Sequence, residues 1–100
     1  MEHYKIKIFT SAQQDLRDIV SYLNTLSPET ATRYYDLMVR EISNLDQFPE
    51  RCPHPRDLAL KAKGYRYLLV NNYYVFYIIK GDTVQIRRIL YARRDYRNLL

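Results

Sequence analysis

The chain predicts an α+β fold: one strand, a helical hairpin, then a three-stranded antiparallel meander that forms one sheet with the N-terminal strand. Two observations lead there. Apolar residues recur at helical spacing through the first half, and the second half turns rich in Tyr, Val, Ile and Phe, broken by two short polar turns. Helices and strands are thus segregated rather than alternating, which marks α+β architecture. One hundred residues, 47% of them hydrophobic, suffice for a single domain over 1–100 with one core.

Tyr4 to Phe9 alternates apolar and basic residues, the period of a half-buried strand. Helix one is expected over about 11–25, with Ser11 and Gln14 as a capping box. Ala12, Leu16, Ile19, Val20 and Leu23 form its apolar stripe. Asp15 and Asp18 are expected in its first turns, near the positive end of the helix dipole. Ser27-Pro28-Glu29 starts a second helix, with Ser at the cap and Pro at the first helical position. Ala31, Tyr34 or Tyr35, Met38, Ile42 and Leu45 make its stripe, and Pro49 is expected to end it. A gap of about three residues between the helices predicts an antiparallel hairpin.

Residues 49–63, with Pro49, Pro53 and Pro55, read as an ordered loop with no long regular element. Tyr65–Val70 and Tyr73–Ile79 are expected strands around Asn71-Asn72, because Asn tolerates positive φ. Lys80-Gly81-Asp82 turns the chain into the last strand, Thr83–Tyr91. Val84 and Ile86 fall on one face of that strand and Ile89 and Tyr91 on the other, so either a bulge near Arg87-Arg88 or partial cover of both faces is expected. The hairpin should cover one face of the sheet and leave the other free as a working surface.

Charge is lopsided. Residues 1–50 hold five Lys/Arg against eight Asp/Glu, a net −3; residues 51–100 hold eleven against three, a net +8. Such asymmetry suggests a face for an anionic partner, nucleic acid or an acidic protein segment. The chain closes on Arg87, Arg88, Arg93, Arg94 and Arg97, with Asp95 the one acid in that segment. Five guanidinium groups will not be buried together, since each uncompensated ion would cost several kcal/mol. All five are therefore expected to face water or an anionic partner. Asp95 should pair with a neighbouring arginine, contributing under about 1 kcal/mol if exposed. Arg66 and Arg94 are the candidate surface contacts, because a guanidinium can hold phosphate bidentately. Most of the meander tyrosines are expected to pack with their hydroxyls at the rim.

Other chemistries find little support. Two glycines cannot build a phosphate loop, and no paired carboxylates or activated serine stand out. Cys52 is alone, so it reads as structural and no internal disulfide is possible. One Cys with His3 and His54 has no recognised metal-ligand spacing. No metal or cofactor is expected. No apolar run nears the roughly 20 residues that span a bilayer, and no leader pattern is seen. A cytoplasmic protein without a membrane partner is the expectation.

Ala12-x-x-Asp15-Leu16-x-x-Ile19-x-x-Tyr22, Ala31-x-Arg33-Tyr34 and Leu45-x-x-Phe48-Pro49 occur in the helical half. Gly64-x-Arg66, Tyr73-x-Val75-Phe76-Tyr77 and Ile89-Leu90-Tyr91-Ala92-Arg93-Arg94-Asp95 follow in the meander. In this order the stretches resemble the RelE/ParE superfamily of type II toxin–antitoxin toxins, over nearly the whole chain. The resemblance implies a small basic toxin that inhibits growth. It also implies a cognate antitoxin that meets the basic face with an acidic segment. Two targets stay open. RelE-like members cut mRNA on the ribosome, and Arg66, Arg94 and Tyr91 would then be the catalytic residues. ParE-like members bind DNA gyrase and are not nucleases. The binding surface implied comprises Arg66, Tyr74, Arg87, Arg93, Arg94, Asp95 and Arg97. A decayed relative that only binds its antitoxin and operator DNA is a third reading. RelE-like nucleases usually carry an arginine on the central meander strand, where this chain has Tyr74. Tyrosine supplies no permanent charge to a phosphorane, and losing one such donor lowers a rate by roughly hundreds-fold. Tyr74 and the Arg-Arg-Asp ending set the chain closer to ParE.

Overall fold

The computed structural model describes residues 3–100. Its elements are β1 (Lys5–Ile8), α1 (Thr10–Leu26), α2 (Pro28–Ser43), α3 (Leu58–Ala62), β2 (Tyr65–Val70), β3 (Tyr73–Lys80) and β4 (Thr83–Tyr91). Short 3-10 turns lie at Asn44–Asp46 and Pro49–Arg51. One sheet has the order β1-β4-β3-β2. The meander is antiparallel, and β1 runs parallel to β4, with Lys5 opposite Thr83 and Ile8 opposite Ile86. The predicted α+β architecture is the one observed.

Strand alternation decides which side chains meet the helices. Val75 and Tyr77 of β3 and Val84, Ile86 and Ile89 of β4 pack with Ala12, Met38, Ile42 and Leu45, backed by Ile6 and Ile8 of β1. A fully buried side chain of this size contributes about 1.5–3 kcal/mol, so this layer supplies much of the fold's stability. Cys52 lies in the same cluster as a free thiol. The Tyr77 hydroxyl donates to the Pro49 carbonyl at 2.6 Å, which satisfies a buried polar group and ties the loop to the core. Burial pushes the Tyr77 phenol far above its ordinary pKa, with the Cys52 hydrogen bond adding to the rise.

The second helix starts as its residues predict. Pro28 opens α2, and the Ser27 Oγ accepts from the Thr30 amide at 3.3 Å. Helix one differs. The Phe9 amide donates to the Ile86 carbonyl at 2.9 Å, which holds the chain extended through Phe9. The helix therefore begins at Thr10 without a side-chain cap, and Ser11 is not the capping residue. Asp15 and Asp18 fall beyond the first turn, which holds no acid. Helix two also stops at Ser43, well short of Pro49. There the chain tightens so that the Asp46 carbonyl can accept the Tyr4 amide at 2.8 Å.

The expected bulge is present. Phe76 faces Arg88 and Tyr77 faces Ile86, leaving Arg87 as the extra residue. It returns Ile89 to the helix-facing core beside Val84 and Ile86. Both hairpin turns use positive φ, at Asn71 (51°) and Gly81 (59°).

The far face of the sheet is not free, contrary to the sequence expectation. Leu60, Tyr65, Phe76 and Leu90 form a second buried cluster, with Tyr67, Tyr74, Ile78, Tyr96, Leu99 and Leu100 packed against it. The meander alternates aromatic residues onto both faces, and the outward set must also leave water. Short α3 and the C-terminal tail cover it. The cover spans β2, β3 and Leu90 near the end of β4; Lys5 and Lys7 of β1 remain exposed.

Candidate functional site

The closing arginines do not share one environment. Arg88 is inside the fold, not in solvent as expected. Its Nε and Nη2 donate to the Asp15 carboxylate at 2.7 and 2.9 Å, and its Nη1 reaches the Leu99 carbonyl at 3.3 Å. The same carboxylate accepts the Ile89 amide at 2.9 Å. Hydrogen bonding to Asp15 raises the Arg88 pKa further. One ion pair thereby joins α1, the bulge and the tail.

Arg97 pairs with Asp95 through two side-chain bonds of 3.2 and 3.1 Å. Hydrogen bonds from the Arg97 side chain and amide hold the Asp95 carboxyl below its usual range. Arg87 stacks its guanidinium 4.6 Å from the centre of the Phe9 ring and 5.8 Å from that of Tyr65. Arg93 and Arg94 are exposed and make no ion pair among the described residues. They sit in the turn after β4, where the Arg94 amide donates to the Tyr91 carbonyl at 2.9 Å.

Arg66 lies elsewhere. It shares its parity with Leu68 and Val70, which pack toward the helices, and its Nη1 donates to the Glu50 and Cys52 carbonyls at 2.9 and 2.7 Å. Arg66 and Ile86 both face Tyr77, whereas Val70 and Tyr91 both face Tyr73. Arg66 and Tyr91 therefore stand at opposite ends of the sheet, about 16 Å apart from strand rise and spacing. Tyr74 is on the opposite face again. Its ring meets Tyr67 at 5.0 Å, Phe76 at 5.7 Å and Tyr96 at 6.2 Å between centroids. The structure thus keeps Tyr91, Arg93, Arg94 and Asp95 together and sets Arg66 apart from them, while Tyr74 lies on the face opposite Arg66, against Tyr96 of the tail.

Two grooves flank α1. One of about 620 Å³ is lined by Asp18, Tyr22, Tyr34, Tyr73 and Tyr91, among others. Burial raises the Tyr73 phenol pKa, and the neighbouring Tyr34, Tyr22 and Tyr91 raise it further. The second, of about 550 Å³, is lined by Leu16, Arg17, Val20, Tyr35 and Val39. Tyr35 and Val39 are among the large exposed apolar side chains, the kind of surface that marks an interaction site.

Three participants escaped sequence reasoning. Local spacing predicts Asp15 near a helix end, whereas its partner Arg88 is 73 residues away. Tyr96 gave no periodic signal in a tail with no regular element. Lys7 was read as one outward position of an alternating strand; its ammonium lies 5.4 Å from the Phe9 ring centre. Among the described residues no cluster of His, Cys, Asp and Glu could hold a metal ion, and no helix is long and apolar enough to cross a membrane.

The family model of the ParE toxin of type II toxin–antitoxin systems, parDE, matches residues 6–96. No curated protein matches the chain. Among solved structures, a chain of the chromosomal ParDE system from P. aeruginosa superposes with a TM-score of 0.78 and 23% identity, covering 91% of this chain and 98% of that one. A chain of the RelBE2 toxin–antitoxin complex from Mycobacterium tuberculosis gives a TM-score of 0.57 and 24% identity, covering 91% and 93%. At these identities the likeness is one of fold.

Proposed function

This chain belongs to the ParE toxin family of type II toxin–antitoxin systems, and from that premise we propose that it inhibits growth by interfering with DNA gyrase in the cytoplasm. The observation that carries this reading is the surroundings of Tyr74. An RNA-cleaving relative would need a cation there to stabilise a phosphorane. This chain has a phenol walled by Tyr67, Phe76 and Tyr96. Arg66, the other candidate on the meander, is on the opposite face and bonded to two carbonyls. Neither Tyr74 nor Arg66 then offers a free cation to a scissile phosphate. The gyrase contact is assigned to the exposed end formed by Tyr91, Arg93 and Arg94.

A cognate antitoxin silences the toxin by laying an amphipathic segment into the α1–α2 groove. Acidic residues beside that segment would meet the basic end. A supercoiling assay with purified gyrase tests the target. Gyrase-dependent cleavage or lost supercoiling is expected, and Arg94→Ala should weaken it tenfold or more, as hot-spot arginines do. Unaffected gyrase with rapid, codon-specific mRNA loss would favour the nuclease reading instead, with Tyr91 and Arg94 as its adjacent exposed residues. Harmless expression without antitoxin would leave only a binding module.

A further inference from the structure

The sheet face turned away from the helices has two unlike halves. Over β2 and β3 it is sealed by aromatic residues, α3 and the tail. Over β1 and the first part of β4 it is open and basic. Register sets Lys5 beside Thr83, Lys7 beside Gln85 and Lys80 beside Thr83, and Lys5, Lys7 and Lys80 are all exposed. The bulge throws Arg87 out of the ladder toward them, so that Lys7 and Arg87 both lie over the Phe9 ring, at 5.4 and 4.6 Å from its centre. Asp82 pairs with Lys5 at 3.7 Å. Among the described residues, Lys7, Lys80 and Arg87 make no ion pair.

Two like charges gathered at one ring repel each other, and the ring's quadrupole offsets only part of that. An anion between them would offset the rest. What kind of anion follows from what this half lacks. Protein interfaces are anchored by Trp, Tyr and Arg set in well-packed, desolvated pockets, with apolar contacts around them. Among the described residues, the large exposed apolar side chains sit on the helices, in the loops, at Leu69 of β2 and at the end of β4, none of them on this half. Phosphate contacts work through charge and need no such anchor. A single strand would want open rings for base stacking, yet on this half Phe9 lies under two cations and Tyr65, the other ring beside Arg87, is buried.

We propose that the open half of this face binds the phosphate backbone of duplex DNA, with Lys7 and Arg87 as paired phosphate contacts and Lys80 extending the track. The choice of DNA over an RNA duplex rests on the gyrase reading; the phosphate site does not. Fluorescence anisotropy with a labelled duplex of about 20 base pairs and arbitrary sequence, from about 50 to about 200 mM salt, tests it. Binding should fall with salt. Lys7→Ala and Arg87→Ala should each weaken it about tenfold at the lowest salt and reduce the log–log slope by about one. Lys80→Ala, at a fully surface position, should reduce the slope as well and guards against misfolding of the Arg87 variant. Absent binding, or binding unchanged in these variants, overturns the site. Tighter binding of an RNA duplex or a single strand overturns the choice of duplex DNA. Gyrase inhibition without DNA binding would overturn this site and leave the function standing; DNA binding with untouched gyrase would do the reverse.

Discussion

The bulge of β4 and the turn just beyond it carry the same side chain and use it in opposite ways. At the bulge, Arg88 retains only 21% side-chain exposure and its guanidinium is held by Asp15 and the Leu99 carbonyl. Six residues later Arg94 is exposed with no ion partner among the described residues. Neither residue differs from the other in type or in basic neighbours. What differs is that α1 delivers a carboxylate to one and nothing to the other. A charged side chain becomes part of the framework when an opposite charge arrives to offset its desolvation. Otherwise it stays on the surface, available to a partner.

Asp15→Ala is the strongest way to test that contrast. It strips the Arg88 charge and the Ile89 amide of their acceptor at once, at a cost of about 3 kcal/mol, the low end for a buried pair because some solvent still reaches Arg88. Urea unfolding should show a midpoint shift of that size, while Arg94→Ala stays within about 0.5 kcal/mol of wild type. Equal effects would erase the distinction.

Arg66 falls on the framework side. Arg66→Ala removes two bonds to loop carbonyls, for a loss of about 1.5 kcal/mol. If stability is untouched and gyrase inhibition collapses, Arg66 belongs with Arg94 instead.

The smallest effect concerns Asp95 and Arg97. Hydrogen bonds from Arg97 depress the Asp95 pKa in the folded chain, so the pair contributes above the ordinary carboxyl value near 3.9 and is lost as pH falls through the lower folded value. An NMR titration should show the Arg97 Nε proton shifting only in that acid window. A shift at higher pH would mean that Asp95 is not its partner.

Much of the fold was legible because local signals agreed. The Ser27-Pro28 cap, the Tyr65–Val70 strand, the Asn71 and Gly81 turns and the β4 bulge follow from short-range patterns, and the structure places each where those patterns put it. Errors came where distant chain overruled local preference. Pairing with Ile86 kept Phe9 extended and displaced the Ser11 cap. Aromatic residues on the far face drew the tail over them and closed a surface expected to be free.

The candidate site divides in the same way. The order of residues determined the α+β architecture, the family resemblance and the cluster Tyr91, Arg93 and Arg94, because contiguous residues stay neighbours however the chain folds. Only the tertiary structure decided that Arg88 is tied to Asp15, that Arg66 and Tyr74 sit on opposite faces, and that Lys7 meets Arg87 over one ring. Those pairings depend on strand register and on which helix crosses which strand. Composition and spacing do not encode them locally, since a shift of one residue would send every side chain of a strand to the other face.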